Sequence, residues 1–352
     1  MPSEPSAQAG PLAGIRVVDL TTVVAGPYTT RILADYGADV IKVEPSAGDI
    51  MRWQGPGRHV GMGAIFLHLN RGKRSVVLDL KDERERAALL KLCERADLFM
   101  HNIRPAAMER LRLGYAQIAA VNPAIVYAAL VGYDQRGPYA SRAAYDDLIQ
   151  GASGIGSLLA QTGDGVPRYV PVNMADRISG ITAVGTVLAA LLARERTGRG
   201  QAVEIPMFET LVDFVMGDHL GGHTFEPALG GFGYGRLLTP LRRPHRTKDG
   251  YVCVLLYDDR QWERFFALAG RSEQYAGDAR LNDMLLRREH YHEAYEIVAE
   301  ILATRSTAEW LAAFREHDIP AMPLHDMESL LHDPHLGATG FFREQEHPTE
   351  GA

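Results

Sequence analysis

The first two hundred residues alternate between short apolar runs and stretches with helical spacing. Runs rich in β-branched and other apolar residues predict strands at 14–20, 38–44, 75–80, 98–102 and 124–131. Apolar residues on one face predict helices at 28–36, 82–95 and 106–111. Strands that alternate with helices over short connections favour an α/β fold with a parallel sheet. The run at 124–131 is almost continuously apolar, which predicts a strand covered on both faces.

A longer helix and one more strand follow in the middle of the chain. Apolar residues spaced three and four apart run from Ile181 to Leu191, so one stripe of this helix faces a core. Gly198 is placed to end the helix in a tight turn, and 202–205 predicts the next strand. Asp176 stands where the helix begins.

Asp176 has two interpretations. Aspartate is among the preferred N-cap residues, because its side chain accepts hydrogen bonds from the first free backbone N–H groups of a helix. Alternatively, those N–H groups and the helix dipole hold the carboxylate ionised and aimed, as a nucleophile requires. The local sequence leaves both interpretations open.

Beyond about residue 225 the pattern changes to shorter elements. A glycine-rich stretch at 229–235 predicts a mobile loop. The following segments predict a strand at 251–256 and helices at 261–268, 293–304 and 308–317. We therefore expect a large α/β domain over 1–225, a small α+β domain over 226–330, and a C-terminal segment at 331–352 that returns toward the large domain.

The composition limits the class of protein. With 352 residues, of which 46% are hydrophobic, the chain can bury two cores. It has no run of eighteen apolar residues and no signal-peptide pattern, so we expect a soluble, cytoplasmic protein. A net charge of −7 with interspersed signs argues against nucleic acid or an anionic membrane as partner. Cys93 and Cys253 lack metal-site spacing, which predicts free thiols and no metal.

The turn after the first strand bears on the ligand. Ala25-Gly26-Pro27 contains one glycine in place of GxGxxG, which disfavours NAD and FAD. Ligands of parallel sheets bind at the carboxyl ends of the strands. Near those ends, a phosphate could meet Lys42, Lys81, Arg104 or Arg110, although solvated surface charge is the usual explanation of such residues.

Five stretches of the chain form an ordered series. They are PLAGIRVVDLTTVVAGPYTTRILADYGADVIKVEP at 11–45, NRGKRSVVLDLK at 70–81, AYDDLIQGASG at 144–154, LLARERTGRGQ at 191–201 and PHRTKDGYV at 244–252. In this order they resemble the class III CoA-transferase family, which includes formyl-CoA transferase, carnitine CoA-transferase and, as a divergent branch, α-methylacyl-CoA racemase. The resemblance implies a Rossmann-like large domain, a small domain, and a homodimer whose two chains interlock like linked rings.

The resemblance also implies site residues. Asp176 matches the catalytic aspartate, and Tyr145 lies beside the bound thioester. The contacts to coenzyme A fall, by motif, on Val24, Ala25, Leu78, Lys81, Asn102, Ile103 and Arg110. Two positions depart from formyl-CoA transferase, which has a glutamine at Val24 and a CoA-binding arginine at Pro45. The chain also stops soon after Pro348, short of the family's usual return segment.

A carboxylate at position 176 accounts for CoA transfer. It attacks the donor thioester to give a mixed anhydride, and the released CoA thiolate then takes the aspartyl carbonyl to form an aspartyl-CoA thioester. The acceptor acid reverses these steps, so the reaction requires no metal or redox cofactor. Oxyanion donors could come from the helix start after Asp176 and from the loop at 230–235, for which a plain solvent-exposed connection is the alternative.

Three alternatives to CoA transfer remain. A 2-methylacyl-CoA racemase or epimerase needs a base and an acid, and the racemase branch has a histidine where this chain has Tyr145, a poor base at neutral pH. A non-catalytic acyl-CoA-binding paralogue would keep the fold, but the retained Asp176 argues against it. NAD-dependent oxidoreduction is disfavoured because the fingerprint is missing.

The acceptor acid is left open by the sequence. A second carboxylate on a dicarboxylic acid could meet Arg236, Arg242, Arg243 or His245, which follow the glycine-rich loop. Arginines beside a surface loop usually have no such role.

Overall fold

The computed structural model of the protein describes residues 10–352. The described chain divides into two compact units. The first contains the chain through Gly156 together with Tyr169–Met216 and Glu346–Ala352, and the second contains Ser157–Arg168 and Gly217–Gln345.

The strands form one sheet in each unit. They are β1 (Arg16–Leu20), β2 (Asp39–Glu44), β3 (Arg74–Val77), β4 (Leu98–His101), β5 (Val126–Val131), β6 (Gln201–Pro206), β7 (His245–Arg246), β8 (Tyr251–Val254) and β9 (Ala321–Pro323). The six-stranded sheet of the first unit is parallel throughout, in the order β3-β2-β1-β4-β5-β6, which confirms the predicted α/β class. The three-stranded sheet of the second unit is antiparallel, in the order β7-β8-β9.

The helices connect these strands. They are α1 (Ala25–Asp35), α2 (Ala64–Asn70), α3 (Glu83–Cys93), α4 (Pro105–Arg110), α5 (Tyr115–Val121), α6 (Asp146–Ala152), α7 (Ile155–Thr162), α8 (Met174–Thr197), α9 (Met207–His219), α10 (Gly235–Leu238), α11 (Asp259–Leu268), α12 (Ser272–Gly277), α13 (Ala279–Asn282), α14 (Met284–Glu289), α15 (Tyr291–Leu302), α16 (Thr307–Glu316), α17 (Met327–Leu330) and α18 (Pro334–Ala338). Short 3₁₀ turns lie at Ile50–Trp53 and Gly221–Thr224.

Burial in the large sheet follows the apolar pattern of the sequence. Every residue of β4 and β5 is buried, and β1 and β2 expose only part of their first residue. This confirms that the run predicted at 124–131 contains a strand covered on both faces, and the strand begins at Val126. β3 differs because it is an edge strand, and its residues are exposed or half-buried.

The strand order of the large sheet reverses between β1 and β4. From β1 the sheet grows through β2 to β3, whereas from β4 it grows the other way through β5 to β6. The connections that follow β1 and β4 therefore leave in opposite directions. In open parallel sheets, ligands bind at such a point, outside the carboxyl ends of the strands.

One helix, α8, is long and apolar enough to cross a membrane by length and composition alone, since its most apolar stretch has a mean hydropathy of 1.4. Half of that stretch is buried, and the helix packs on α1, α6, β5 and β6. These contacts make it the core helix of the first unit. Gly198 ends it with a φ of 68°, as predicted.

An aromatic cluster forms the core of the second unit. Trp262, Phe265, Phe266, Trp310 and Phe314 are all nearly inaccessible to solvent. The two indole N–H groups donate to backbone carbonyl groups, so the polar atoms of the cluster are satisfied. The predicted helices of this region are present as α11, α15 and α16, and the predicted strand is present as β8.

The structure also shows the state of the two thiols and the distribution of side chains that could bind a metal ion. Cys93 is buried and Cys253 is half-buried, and both are free, as predicted. Among residues 10–352, no three His, Cys, Asp or Glu side chains are grouped so that they could hold a metal ion.

The C-terminal residues Glu346–Ala352 belong to the first unit. Glu350 is 7% exposed and accepts a hydrogen bond from the His59 backbone N–H at 3.2 Å. Its other carboxylate oxygen lies 3.0 Å from Nδ1 of His59. A β-bridge between His347 and Gly351 folds this end of the chain back on itself.

Candidate active site

A cavity of about 220 Å³ opens at the carboxyl ends of β1, β4 and β5. All of its lining residues belong to the first unit. The main contributions come from the turn after β1 at 22–25, the turn after β4 at 102–105, the end of β5 at 130–132, the start of α6 at 144–146, and Asp176. The cavity therefore lies where the strand order predicts a ligand site.

The structure brings together six of the nine predicted site residues around this cavity. They are Val24, Ala25, Asn102, Ile103, Tyr145 and Asp176. Leu78 and Lys81 follow the carboxyl end of β3 but do not line the cavity. Arg110 is exposed at the end of α4 and does not line it either.

Asp176 lies in the first turn of α8 and is not its N-cap. The N-cap is Asn173, so the N-cap interpretation of Asp176 is wrong. The helix begins earlier than the apolar pattern suggests, because its first residues include polar positions. Asp146, at the start of α6, accepts a hydrogen bond from the backbone N–H of Asp176 at 3.0 Å through Oδ1. A carboxylate from another helix thus caps α8, and the side chain of Asp176 is not used for capping.

The carboxylate of Asp176 is half-buried and faces the cavity. Burial and the negative charges of Asp146 and Asp147 together raise its pKa to about 7, against the opposing effect of the positive charge of Arg177. Within the described part of the chain, no hydrogen bond or ion pair stabilises the charged form of this side chain. A carboxylate left in this condition is more basic and more reactive than one at the surface.

The turn after β1 is held in a strained conformation. Val23 has a φ of 69°, a left-handed value that β-branched residues rarely adopt. Asn102 binds Thr22 twice, accepting from its N–H at 3.0 Å and donating to its carbonyl at 2.8 Å. Asp49 accepts from the N–H of Val23 at 3.2 Å. Side chains from two other segments therefore fix the backbone that forms one wall of the cavity.

A buried ion pair supports the same turn. Nζ of Lys42 lies 2.9 Å from Oδ2 of Asp49 and donates to the carbonyl of Thr21 at 2.8 Å. Lys42 is 1% exposed and Asp49 is fully buried. The expectation that Lys42 could meet a phosphate is therefore wrong, because its charge is enclosed and already paired.

Close packing between α1 and α8 sets the distance across the cavity. A Cβ at Gly180 would lie 2.9 Å from the carbonyl oxygen of Ala25, so only glycine permits this approach. The hydroxyl of Thr29 donates to the carbonyls of both Ala25 and Gly180. Since Gly180 is one helical turn beyond Asp176, this contact holds the start of α1 beside Asp176.

The start of α1, rather than that of α8, carries the available N–H donors. The N–H groups of Asp176 and Arg177 are already bonded to Asp146 and Asn173, which corrects the expectation that they are free to bind an oxyanion. Val24 and Ala25 donate to no described residue, and α1 has no side-chain cap. Helix N-termini in this condition bind anions.

Two arginines of the cavity were not among the site residues chosen from the sequence. Arg104, the N-cap of α4, is one of the four basic residues that the sequence places near strand ends. Arg142 stacks on the ring of Tyr139, with its Cζ 3.9 Å from the ring centroid. No local motif marks either residue, because both reach the cavity from loops whose course depends on the whole sheet.

The chain is similar over most of its length to known proteins of one family. The sequence profile of CoA-transferase family III matches residues 12–352. Succinyl-CoA:glutarate CoA-transferase of Mus musculus is 33% identical over 97% of this chain and 78% of that protein. Acetyl-CoA:oxalate CoA-transferase of Acetobacter aceti is 32% identical over 95% of this chain and 86% of that protein. A CaiB/BaiF family protein from Brucella suis, solved by crystallography, has a TM-score of 0.79 and 30% identity over 95% of this chain and 89% of that one.

These matches confirm the resemblance carried by the five sequence stretches. They extend over nearly the whole chain and include both units. The chain therefore belongs to CoA-transferase family III, and it is an enzyme that transfers coenzyme A from an acyl-CoA thioester to a carboxylic acid.

Proposed function

We propose that Asp176 is the nucleophile of this transfer. The observation that carries the proposal is its half-buried carboxylate, which faces the cavity without a stabilising partner and has a pKa raised to about 7. Acylation converts this carboxylate into an uncharged group. The reaction therefore removes a charge that the site does not stabilise, which favours attack on a thioester.

The proposed sequence has four acyl exchanges. An oxygen of Asp176 attacks the thioester carbonyl, the C–S bond breaks, and CoA leaves as a thiolate. The thiolate then attacks the aspartyl carbonyl of the mixed anhydride, releases the donor acid as a carboxylate, and leaves an aspartyl-CoA thioester. The acceptor carboxylate attacks the aspartyl carbonyl of this thioester, the C–S bond breaks, and CoA leaves again as a thiolate, which gives a second mixed anhydride. The thiolate then attacks the acceptor carbonyl of that anhydride, forms the new acyl-CoA and releases Asp176 as a carboxylate. The N–H groups of Val24 and Ala25 are the proposed oxyanion donors.

We also propose how the substrates are recognised. Coenzyme A contacts Val24, Ala25, Asn102 and Ile103 within the cavity, and it extends along the sheet edge toward the other predicted contacts, Leu78, Lys81 and Arg110. The acceptor is a short dicarboxylic acid, a proposal supported by the two relatives named for glutarate and oxalate. Arg142 is a suitable partner for the second carboxylate.

Covalent trapping tests the nucleophile. Enzyme incubated with an acyl-CoA but no acceptor should form an adduct on the peptide that contains Asp176, and hydroxylamine should convert it to a hydroxamate detectable by mass spectrometry. A 2-methylacyl-CoA incubated in D₂O should gain no deuterium beside the carbonyl. Deuterium exchange without any modification of Asp176 would instead support a racemase, for which Tyr145 and Asp146 would be the candidate acid and base.

Replacing Arg104 with alanine is expected to weaken CoA binding by about 1.5–3 kcal/mol, roughly tenfold or more, because a charge-assisted hydrogen bond to phosphate is lost. Arg110→Ala, measured beside it by calorimetry, tests the contact implied by family resemblance at a residue outside the cavity. An affinity equal to that of the wild type would remove either residue from the CoA site.

Replacing Asp146 with asparagine is expected to lower the pKa of Asp176. The amide oxygen can still accept the Asp176 N–H, but the negative charge that raises the pKa is removed. The acidic limb of kcat/KM should therefore move below its wild-type position near pH 7. Asp147→Asn is the matched control and should move the limb less, because Asp147 has the smaller effect on Asp176. An unchanged limb in Asp146→Asn would contradict the electrostatic assignment.

We propose that the enzyme is a homodimer with interlocked chains. Large apolar side chains such as Leu229, Phe232 and Phe341 are at least 65% exposed in the single chain, which is typical of surfaces that bind a partner. Light scattering should give about twice the chain mass of 38.7 kDa. A mass equal to that of one chain at micromolar concentration would exclude the dimer.

A further inference from the structure

Gln150, in α6 of the first unit, is a polar residue with no exposure to solvent. It does not line the cavity that Asp176 faces. A buried amide is costly unless its donors and its acceptor find partners. The hydrogen bonds of this side chain therefore show which groups its position serves.

The side-chain amide of Gln150 is fully hydrogen-bonded. Its Oε1 accepts the backbone N–H of Val170 at 2.9 Å. Its Nε2 donates to Oδ2 of Asp146 at 2.5 Å and to the carbonyl of Val172 at 3.3 Å. A backbone N–H only donates, and an ionised carboxylate or a carbonyl only accepts, so these partners fix the orientation of the amide. An ionised glutamate has no donor and could not make the same three contacts.

Two of these contacts hold the segment that enters α8. Val170 and Val172 come shortly before the N-cap, Asn173, whose side chain makes no capping hydrogen bond. The segment is folded in tight turns, in which the N–H of Val172 donates to the carbonyl of Val170 and the N–H of Met174 to that of Val172. Gln150 therefore ties the entry of α8 to α6 from outside the segment.

The third contact reaches Asp176 through Asp146. Oδ1 of Asp146 accepts the backbone N–H of Asp176 at 3.0 Å, while Oδ2 accepts from Gln150. Because each oxygen has its own partner, the carboxylate of Asp146 cannot rotate without losing one of these hydrogen bonds. Gln150 thus fixes both the first turn of the helix that carries Asp176 and the negative charge beside it.

We propose that Gln150 is a positioning residue for acyl transfer, which aims the carboxylate of Asp176 at the substrate carbonyl by joining α6 to the entry of α8. This inference rests on the proposed role of Asp176 as the nucleophile. A displacement of about 1 Å at a reacting group can lower a rate about a hundredfold, so a loss of aim acts mainly on kcat. Substrate binding should change little, because Gln150 does not line the cavity.

Replacing Gln150 with methionine tests the proposal, since methionine has a similar length and makes none of the three hydrogen bonds. We expect kcat to fall by at least about tenfold and KM for acyl-CoA to change by less than about threefold. Asn122→Leu is the matched control. The amide of Asn122 also bonds three backbone groups of the first unit, but it lies outside the cavity. This control should also lower the melting temperature, but it should leave kcat unchanged.

Gln150→Glu provides a second variant, which also serves if the methionine variant does not fold. It keeps the shape of the side chain and the acceptor for the N–H of Val170, but it places a second carboxylate against Oδ2 of Asp146. We expect kcat to fall by at least about tenfold here too. A double-mutant cycle tests the route through Asp146. In the Asp146→Asn background, the loss in kcat caused by Gln150→Met should be at least about threefold smaller than in the wild type.

The rate of adduct formation on Asp176 separates this inference from the proposed function. Without an acceptor acid, acyl-CoA should form the adduct at least about tenfold more slowly in Gln150→Met than in the wild type. No adduct in the wild type would refute the nucleophile, and this inference with it. Equal rates of adduct formation, a loss confined to KM, additive losses in the cycle, or an equal loss of kcat in Asn122→Leu would each overturn the role of Gln150 alone.

Discussion

Replacing Asp176 with asparagine is expected to abolish CoA transfer while the protein stays folded. An amide cannot form the anhydride or the aspartyl-CoA thioester, so kcat/KM should fall by at least about a thousandfold. Asn173 occupies the N-cap position of α8, Asp146 accepts the backbone N–H of residue 176, and the substitution leaves that N–H in place. The lost activity therefore cannot be attributed to a lost cap. Retention of more than about a tenth of the rate would disprove the assignment, since loss of a covalent nucleophile costs orders of magnitude.

The same variant has an expected effect on stability. The pKa of Asp176 is about 7 in the folded protein, against 3.8 for an ordinary aspartate. A carboxylate with a raised folded pKa contributes its full stability below 3.8 and loses it as the pH rises through about 7. Asparagine has no such loss, so the variant should become more stable than the wild type between about pH 4 and pH 7. Asp147→Asn, which replaces an exposed carboxylate nearby, should keep near-maximal activity in the same assays.

Replacing Lys42 with methionine is expected to lower the free energy of unfolding by about 3–5 kcal/mol, the usual cost of leaving one charge of a buried pair without its partner. Asp49 would remain fully buried with no cation on Oδ2, and the carbonyl of Thr21 would lose its donor. Because Asp49 also holds Val23, the cavity wall should loosen. The KM for acyl-CoA should therefore rise in this variant.

A surface pair of the neighbouring strand provides the control. Arg74 bonds Asp39 through two short contacts, but its side chain is 65% exposed. Arg74→Met should change the free energy of unfolding by no more than about 1 kcal/mol, because exposed ion pairs are well solvated. Urea denaturation monitored in parallel compares the two variants. If Lys42→Met were no less stable than Arg74→Met, Lys42 and Asp49 would not act as a buried pair.

The sequence predicted those features that depend on local pattern or on an ordered series of motifs. The apolar runs gave β1, β2, β4 and β5 nearly to their ends, because a strand buried on both faces must be apolar throughout. β3 is less apolar and shorter than expected, since an edge strand is only partly buried. The sequence indicates Asp176 as a candidate nucleophile because it is an acid near the start of a helix. The structure adds the cavity that this acid faces.

Roles that depend on contacts between distant segments could not be predicted. Lys42 follows a strand pattern that fits an exposed cation equally well, and only the position of Asp49 shows that its charge is buried. Asp146 is thirty residues from Asp176 in the chain, yet it caps α8 and raises the pKa of Asp176. The conformation of Val23 likewise has no signal in its residue type, since valine disfavours a positive φ.

The position of Glu350 in the first unit affects how the protein folds during synthesis. His59 emerges from the ribosome early, but its partner is 291 positions later, after all of the second unit. The first unit is therefore discontinuous, and its last contacts cannot form until residues 346–352 have been synthesised. Closing a loop of this length costs conformational entropy that grows only slowly with length, so the delay is set by synthesis and by folding of the inserted unit. A nascent chain released before residue 346 would contain the complete set of cavity residues without this closing contact.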